Sequence, residues 1–116
     1  MSAITVSNVN FKYNTQNVLD NICVNVNCGE IYALLGPSGG GKTTLLRLIL
    51  GMIKIKSGYI SVFGHRPGAA NDRISYMPQN NALCLHFTVE QTFKYFMHIY
   101  RITFEEFSNR YFIFSN

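Results

Sequence analysis

The chain has 116 residues, of which 47% are hydrophobic and 14% are charged, and its formal net charge is +4. This length is sufficient for one small domain with a hydrophobic core, and the composition excludes an intrinsically disordered protein. The basic residues are scattered without a continuous run, so the positive charge does not predict a nucleic-acid partner.

The cysteines and the N-terminal residues indicate a reducing compartment. Cys23, Cys28 and Cys84 are odd in number and lack the Cys-x-x-Cys spacing, so we expect reduced thiols rather than disulfides or a zinc site. Residues 1–3 lead directly into a strand pattern, so no signal peptide is predicted. The most apolar stretch, residues 45–53, contains an arginine and is too short to span a membrane.

Two strands are predicted at the start of the chain, joined by a turn at residues 14–17. In the second strand apolar and polar residues alternate, which is typical of a strand with one exposed face. The apolar positions of the two strands are Ile4, Val6, Val9, Phe11, Ile22, Val24 and Val26.

A strand, a glycine-rich loop and a helix are predicted next. Residues 31–35 are continuously apolar and indicate a strand buried on both faces. Residues 36–43 read GPSGGGKT and match the phosphate-binding pattern G-x-x-x-x-G-K-[ST] at every required position. Residues 42–50 follow a helical pattern, with Gly51 placed to cap its end. A chance glycine-rich turn is disfavoured because the strand and the helix both flank the loop.

The loop has the residue types needed to bind a nucleotide. Its glycines allow close backbone approach, and successive N–H groups at a helix N-terminus form a site for phosphate. Lys42 would reach the β- and γ-phosphates, the Thr43 hydroxyl would bind Mg²⁺, and Thr44 could hydrogen-bond the α-phosphate. The candidate nucleotide-binding residues of the loop are Gly36, Pro37, Ser38, Gly39, Gly40, Gly41, Lys42, Thr43 and Thr44.

Shorter elements are predicted in the second half of the chain. A turn at 56–58 precedes a strand at 59–63, residues 64–72 form a loop, and residues 74–77 form a short strand that Pro78 stops.

Two helices are predicted after these strands. Thr88 and Gln91 form a capping box that opens a helix to about residue 100, and Thr103 with Glu106 repeats the signal for a second helix. Aromatic residues at helical spacing in this segment predict core positions. They are Phe93, Tyr95, Phe96, Tyr100, Phe104, Phe107 and Tyr111.

These motifs together resemble the N-terminal half of the nucleotide-binding domain of ABC transporters, over about residues 3–100. The loop and first helical residues, 36–46, look very like this family's phosphate-binding motif. Two further segments are similar in sequence to this family. They are residues 50–60, continuing to Gly64, and residues 87–90. The sequence of residues 74–79, ISYMPQ, looks most like that of the eukaryotic G- and H-type half-transporters.

The resemblance implies further site residues. Tyr13 stands where the family's aromatic residue stacks on adenine, although it could also be an ordinary aromatic at a strand end. Residues 76–79 resemble the Q-loop, in which Gln79 would contact Mg²⁺ or the attacking water, the alternative being a solvated loop residue. The family's aromatic-rich helical segment faces the membrane subunit, so some aromatic residues here could contact that partner.

The resemblance also implies a fold and an organisation. The expected fold is α/β, an incomplete P-loop NTPase core of the ABC type with an N-terminal antiparallel β subdomain. Residues 3–80 would form the P-loop core and antiparallel strands, and residues 81–116 the start of a helical subdomain. The parallel core sheet would lack at least one neighbour of the 31–35 strand.

Three family motifs are absent from this sequence. A Walker B motif consists of four apolar residues followed by Asp-Glu, and none of the six acidic residues of this sequence fits that pattern. The sequence also has no LSGGQ signature and no switch histidine. Without the charge-stabilising groups of these motifs, hydrolysis would be slower by on the order of 10²–10⁵. Residues 111–116 depart from the expected amphipathic helix, which suggests a truncated chain or a fragment.

Three hypotheses follow. The first is the ATP-binding part of a transporter at the cytoplasmic face of a membrane, with ATP and Mg²⁺, a transmembrane domain, and a second nucleotide-binding domain in a head-to-tail dimer. The second is a nucleotide-binding fragment without ATPase activity. The third, a small P-loop kinase, is disfavoured by the antiparallel strands ahead of the loop.

Overall fold

The computed structural model describes residues 1–80 and 83–111. They belong to two compact units, Met1–Ser75 and a second unit that begins at Tyr76. Residues 112–116, predicted to depart from an amphipathic helix, lie outside the described residues. Within the described ranges, no helix has both the length and the apolar character needed to cross a membrane.

The first unit contains a three-stranded antiparallel sheet in the order β2-β1-β3. Strand β1 is Ser2–Tyr13, β2 is Gln16–Asn27 and β3 is Ser57–Val62. In the register, Val6 of β1 lies between Val24 of β2 and Ile60 of β3. The predicted antiparallel strands are therefore confirmed, and β2 shows the predicted alternation of half-buried and exposed residues.

Helix α1, Lys42–Ile49, supplies the other side of the core. Leu45, Leu48 and Ile49 are buried, and they form one hydrophobic cluster with side chains from all three strands. Gly51 has φ +73°, and the bonds from Gly51 N to Leu48 O and from Met52 N to Arg47 O close a Schellman motif. The predicted helix end at Gly51 is therefore confirmed.

Two predicted strands are wrong. Residues 31–35 and 74–77 have no strand assignment, and the side chains of Ile31 and Leu35 are 99% and 89% exposed. A strand is stable only where its backbone N–H and C=O groups pair with a neighbour. Among the described residues all strand pairings are antiparallel, and none involves these two segments.

The second unit contains helices α2, Val89–Tyr100, and α3, Phe104–Tyr111. The capping box predicted for α2 is confirmed, since Gln91 N donates to Thr88 Oγ1 at 3.2 Å and Thr88 N donates to Gln91 Oε1 at 2.9 Å. Thr103 and Glu106 make the equivalent pair of bonds at the start of α3.

The prediction that the aromatic residues of this segment are core is wrong for most of those described. Phe93 and Phe107 do pack together, with ring centroids 4.9 Å apart, but α2 has no buried residue. The exposed aromatic side chains are Phe93, Tyr95, Phe96, Tyr100 and Phe104.

Candidate nucleotide-binding site

The glycine-rich loop begins with a tight turn. Gly40 N donates to Pro37 O at 3.0 Å, and Gly39, at the third position of this turn, has φ +80°. A positive φ at the third position is what a type II turn requires, and glycine adopts it without steric cost. The sequence therefore bends the backbone back on itself just before the helix.

Gly41 joins the loop to α1 and to the β-hairpin. It is the N-cap of α1, with φ +91°, and its carbonyl accepts the first helical bond, from Leu45 N at 2.9 Å. A Cβ at this position would lie 2.8 Å from Leu19 Cδ2 and 2.9 Å from Val18 O. The glycine therefore allows the loop to lie directly against the start of β2.

The side chain of Lys42 turns back over the loop. Its Nζ donates to Gly36 O at 2.6 Å and to Pro37 O at 2.7 Å. Both acceptors are neutral carbonyl groups, and among the described residues no carboxylate pairs with this ammonium. Its positive charge is thus held within the loop without an anionic partner, which suits a phosphate ligand.

The first turn of α1 is suited to an anion. Gly41 has no side chain to cap the helix, and no acidic residue occupies the first turn. The first N–H groups of a helix have no intrahelical partner and lie at the positive end of the helix dipole. Thr43 is exposed, whereas Thr44 is only 8% exposed.

Tyr13 lies at the tip of the same β-hairpin that contacts the loop. It pairs with Gln16 across the hairpin, and Phe11, two residues earlier, pairs with Leu19, whose side chain lies against Gly41. The Tyr13 side chain is 42% exposed and packs edge-on against Phe11, with ring centroids 5.0 Å apart. The hairpin thus carries an accessible aromatic ring on the strand pair that borders the loop.

Gln79 belongs to the second unit. It is exposed and lines a cavity of about 530 Å³ in that unit, together with Tyr76, Met77, Leu83 and Phe96 among others. Its predicted role toward Mg²⁺ or the attacking water remains a prediction.

Sequence reasoning missed two groups of residues around this site. Val18 and Leu19 lie against Gly41, Phe11 lies beside Tyr13, and Lys56 lies over the Phe11 ring. The spacing of two residues between Phe11 and Tyr13 could have placed them on one face of a strand. No sequence signal connects Lys56 to this face, because the contact depends on the pairing of β1 with β3.

The sequence profile of ABC transporters matches residues 19–113. The chain belongs to the ABC transporter family. ABC transporter G family member 20 of Dictyostelium discoideum is 36% identical over 112 residues, which cover 93% of this chain. Zinc import ATP-binding protein ZnuC of Ehrlichia chaffeensis is 39% identical over 94 residues, which cover 81% of this chain.

Solved structures of ABC proteins agree with this assignment. The ATP-binding subunit of an ABC transporter superposes with a TM-score of 0.78 at 28% identity, over 93% of this chain. A bacterial Atm1-family ABC exporter with ATP bound superposes with a TM-score of 0.51 at 33% identity, over 54% of this chain. The predicted fold class, an incomplete P-loop NTPase core with an antiparallel subdomain, is confirmed.

This chain is much shorter than the relatives it matches. It spans 15% of the Dictyostelium protein, 36% of ZnuC and 47% of the solved ATP-binding subunit. ZnuC is an ATP-binding protein of zinc import, and the solved structure with a TM-score of 0.78 is an ATP-binding subunit of an ABC transporter.

Proposed function

We propose that this chain is the part of an ABC transporter ATP-binding domain that binds the phosphates and the base of ATP. The observation that carries the proposal is the loop geometry, in which a lysine ammonium bound to two neutral loop carbonyls stands at the start of a helix whose first turn has no acidic residue. In the whole transporter, ATP binding and hydrolysis would be coupled to transmembrane transport.

The roles of the individual residues follow from their positions. Residues 36–41 form the loop whose backbone N–H groups, except at Pro37, would bind the phosphates. Lys42 supplies a positive charge, and Thr44, which is 8% exposed, would hydrogen-bond the α-phosphate. The hydroxyl of the exposed Thr43 is a hard oxygen ligand of the kind Mg²⁺ prefers, and Gln79 would be a second Mg²⁺ contact and a sensor of the attacking water. Tyr13 would stack on adenine.

The proposed partners are those of a complete nucleotide-binding domain. We place residues 3–80 in its P-loop core with the antiparallel strands, and residues 81–116 at the start of its helical subdomain. This domain would lie at the cytoplasmic face of a membrane, bound to a transmembrane domain, and pair head-to-tail with a second nucleotide-binding domain.

A second candidate is a nucleotide-binding fragment without ATPase activity. It is favoured by the sequence itself, which has the P-loop but no Walker B, signature or switch histidine. Purified residues 1–116 that released phosphate from ATP at a rate typical of enzymes would eliminate this candidate.

Binding of Mg²⁺-ATP to the full chain tests the proposal. We expect Lys42→Ala to weaken ATP binding on the order of 10- to 100-fold, because a hydrogen bond from a charged donor to phosphate is lost. Isothermal titration calorimetry measures this change. The matched control is Lys54→Ala, which removes the same charge from an exposed lysine outside the loop. Equal affinities of the Lys42→Ala and Lys54→Ala variants would contradict the proposal.

A further inference from the structure

Three side chains of the first unit form a cluster at the end of the sheet where β1 ends and β3 begins. Lys56 Nζ lies over the Phe11 ring, 5.5 Å from its centroid, and the Phe11 ring in turn contacts the ring of Tyr13. We propose that Phe11 and Lys56 are positioning residues that hold the Tyr13 ring as a preformed platform for a nucleobase. This inference rests on the proposed function, because it assumes that Tyr13 meets the base of ATP.

The geometry of the two rings leaves a surface of Tyr13 available. The rings of Phe11 and Tyr13 are nearly perpendicular, at 82°, and a perpendicular neighbour can cover at most one face of a ring. Phe11 is only 5% exposed and is fixed in the core, whereas Tyr13 is 42% exposed. Tyr13 is therefore in contact with a buried neighbour while a large part of the residue stays accessible to a ligand.

Lys56 is held in place from two directions. Its Nζ makes a long contact of 3.5 Å with the backbone carbonyl of Lys12, the residue between Phe11 and Tyr13, as well as lying over the Phe11 ring. A cation within about 6 Å of a ring centroid is attracted by the ring's negative face. Lys56 directly precedes β3, so the pairing of β3 with β1 brings it to this position.

An ordered ring binds a base with a smaller loss of conformational freedom than a mobile ring does. Removing Lys56 removes its contact with the Lys12 carbonyl, directly before Tyr13, and so should loosen Tyr13 while Phe11 stays in the core. It should weaken only the part of nucleotide binding that depends on the base. The phosphates would bind at residues 36–44, so the affinity for a ligand without a base should not change when Lys56 is replaced. This difference separates a positioning role from a general loss of structure, which would weaken both ligands.

The test compares ATP with inorganic triphosphate as ligands of the full chain. We expect Lys56→Ala and Lys56→Met to weaken ATP binding by up to about two- to fivefold, since the whole energy of an exposed cation–π contact sets the upper limit, and to leave triphosphate binding unchanged. Lys56→Arg keeps the cation and should restore ATP binding. Lys54→Ala is the matched control, since Lys54 lies over no aromatic ring among the described residues.

A second readout follows the platform residue directly. The sequence contains no tryptophan, so Tyr13→Trp introduces a single tryptophan at the platform, which can be excited selectively at wavelengths longer than those tyrosine absorbs. We expect its fluorescence anisotropy to fall when Lys56→Ala is added, and to rise when ATP but not triphosphate binds. An anisotropy that does not change with Lys56→Ala would overturn the positioning role.

The outcomes distinguish this inference from the proposed function. If Tyr13→Ala weakens ATP binding but Lys56→Ala does not, the positioning role of Lys56 is wrong and the nucleotide site stands. If Lys56→Ala weakens ATP and triphosphate equally, its role is structural and the inference is also overturned. If neither ligand binds the unmodified chain, the proposed function itself fails.

Discussion

Gly41 is the residue at which the phosphate-binding loop, helix α1 and the β-hairpin meet. Its positive φ suits the loop, and the absence of a Cβ lets the loop lie against Val18 and Leu19. Gly39 shares the positive φ but has open space where a Cβ would lie. Replacing Gly39 by alanine therefore measures the cost of the backbone conformation alone, whereas replacing Gly41 adds the cost of a steric clash.

We expect Gly41→Ala to lower the free energy of unfolding more than Gly39→Ala. A left-handed conformation costs a non-glycine residue about 1–2 kcal/mol, so Gly39→Ala should cost that amount. Gly41→Ala adds overpacking against Leu19 and Val18, for a total of about 2–5 kcal/mol. Urea unfolding of the full chain measures both, and equal losses would show that the hairpin does not pack on the loop.

The chemistry of the loop residues could be predicted from the sequence because the whole motif lies within nine consecutive positions, 36–44. The pattern specified the turn, the lysine and the helix start, and all three are present in the structure. The neighbours of the loop could not be predicted in this way. Val18, Leu19 and Lys56 are far from it in sequence, and only strand pairing brings them to their partners.

At the scale of elements, local signals predicted the helix ends well. The capping boxes of α2 and α3 and the Schellman motif of α1 each involve residues within five positions of one another. The prediction of a strand at residues 31–35 is wrong because hydrogen-bonded pairing between strands is not a local property of the sequence. An apolar run indicates that a segment can form a buried strand, but a neighbouring strand must supply the hydrogen bonds.

The cap of α3 should depend on pH. Hydrogen bonds donated by the backbone N–H and the hydroxyl of Thr103 to Glu106 hold the pKa of this carboxyl below its ordinary value of 4.5. A group whose pKa is lower in the folded state stabilises the fold at pH values above 4.5, and this stabilisation is lost as the pH falls through the lowered value.

We therefore expect α3 to lose helicity at its N-terminus as the pH falls below 4.5. The Cα chemical shifts of residues 104–111 measure this loss. Glu106→Gln removes the titrating group and keeps an acceptor oxygen, so it should weaken the pH dependence at residues 104–106. An unchanged titration in the Glu106→Gln variant would show that Glu106 does not hold the cap.

At the scale of the whole molecule, the first unit exposes apolar surface that its own elements do not cover. Residues 31–35 run beside a cavity of about 300 Å³ whose lining includes Leu34, Leu45, Leu46 and Ile49. Exposed apolar segments without strand partners favour self-association. The sequence predicted the apolar character of this segment correctly and its burial wrongly.

We expect Ile31→Lys to reduce self-association of the full chain, as measured by light scattering. Because the Ile31 side chain is 99% exposed, the free energy of unfolding should change by less than about 0.5 kcal/mol. Leu48→Ala is the contrasting control, since Leu48 is 1% exposed and its truncation should cost about 2–5 kcal/mol. A loss of stability from Ile31→Lys as large as that from Leu48→Ala would show that residues 31–35 are buried.

The central claim is that residues 36–44 bind the phosphates of a nucleotide. An NMR titration of the ¹⁵N-labelled full chain with Mg²⁺-ATP tests it most directly, because the backbone amide groups are themselves the proposed ligands. We expect the largest amide shifts at Gly39–Thr44, and inorganic triphosphate should reproduce them. Amide shifts that spare these residues, or no shifts at saturating ATP, would contradict the account.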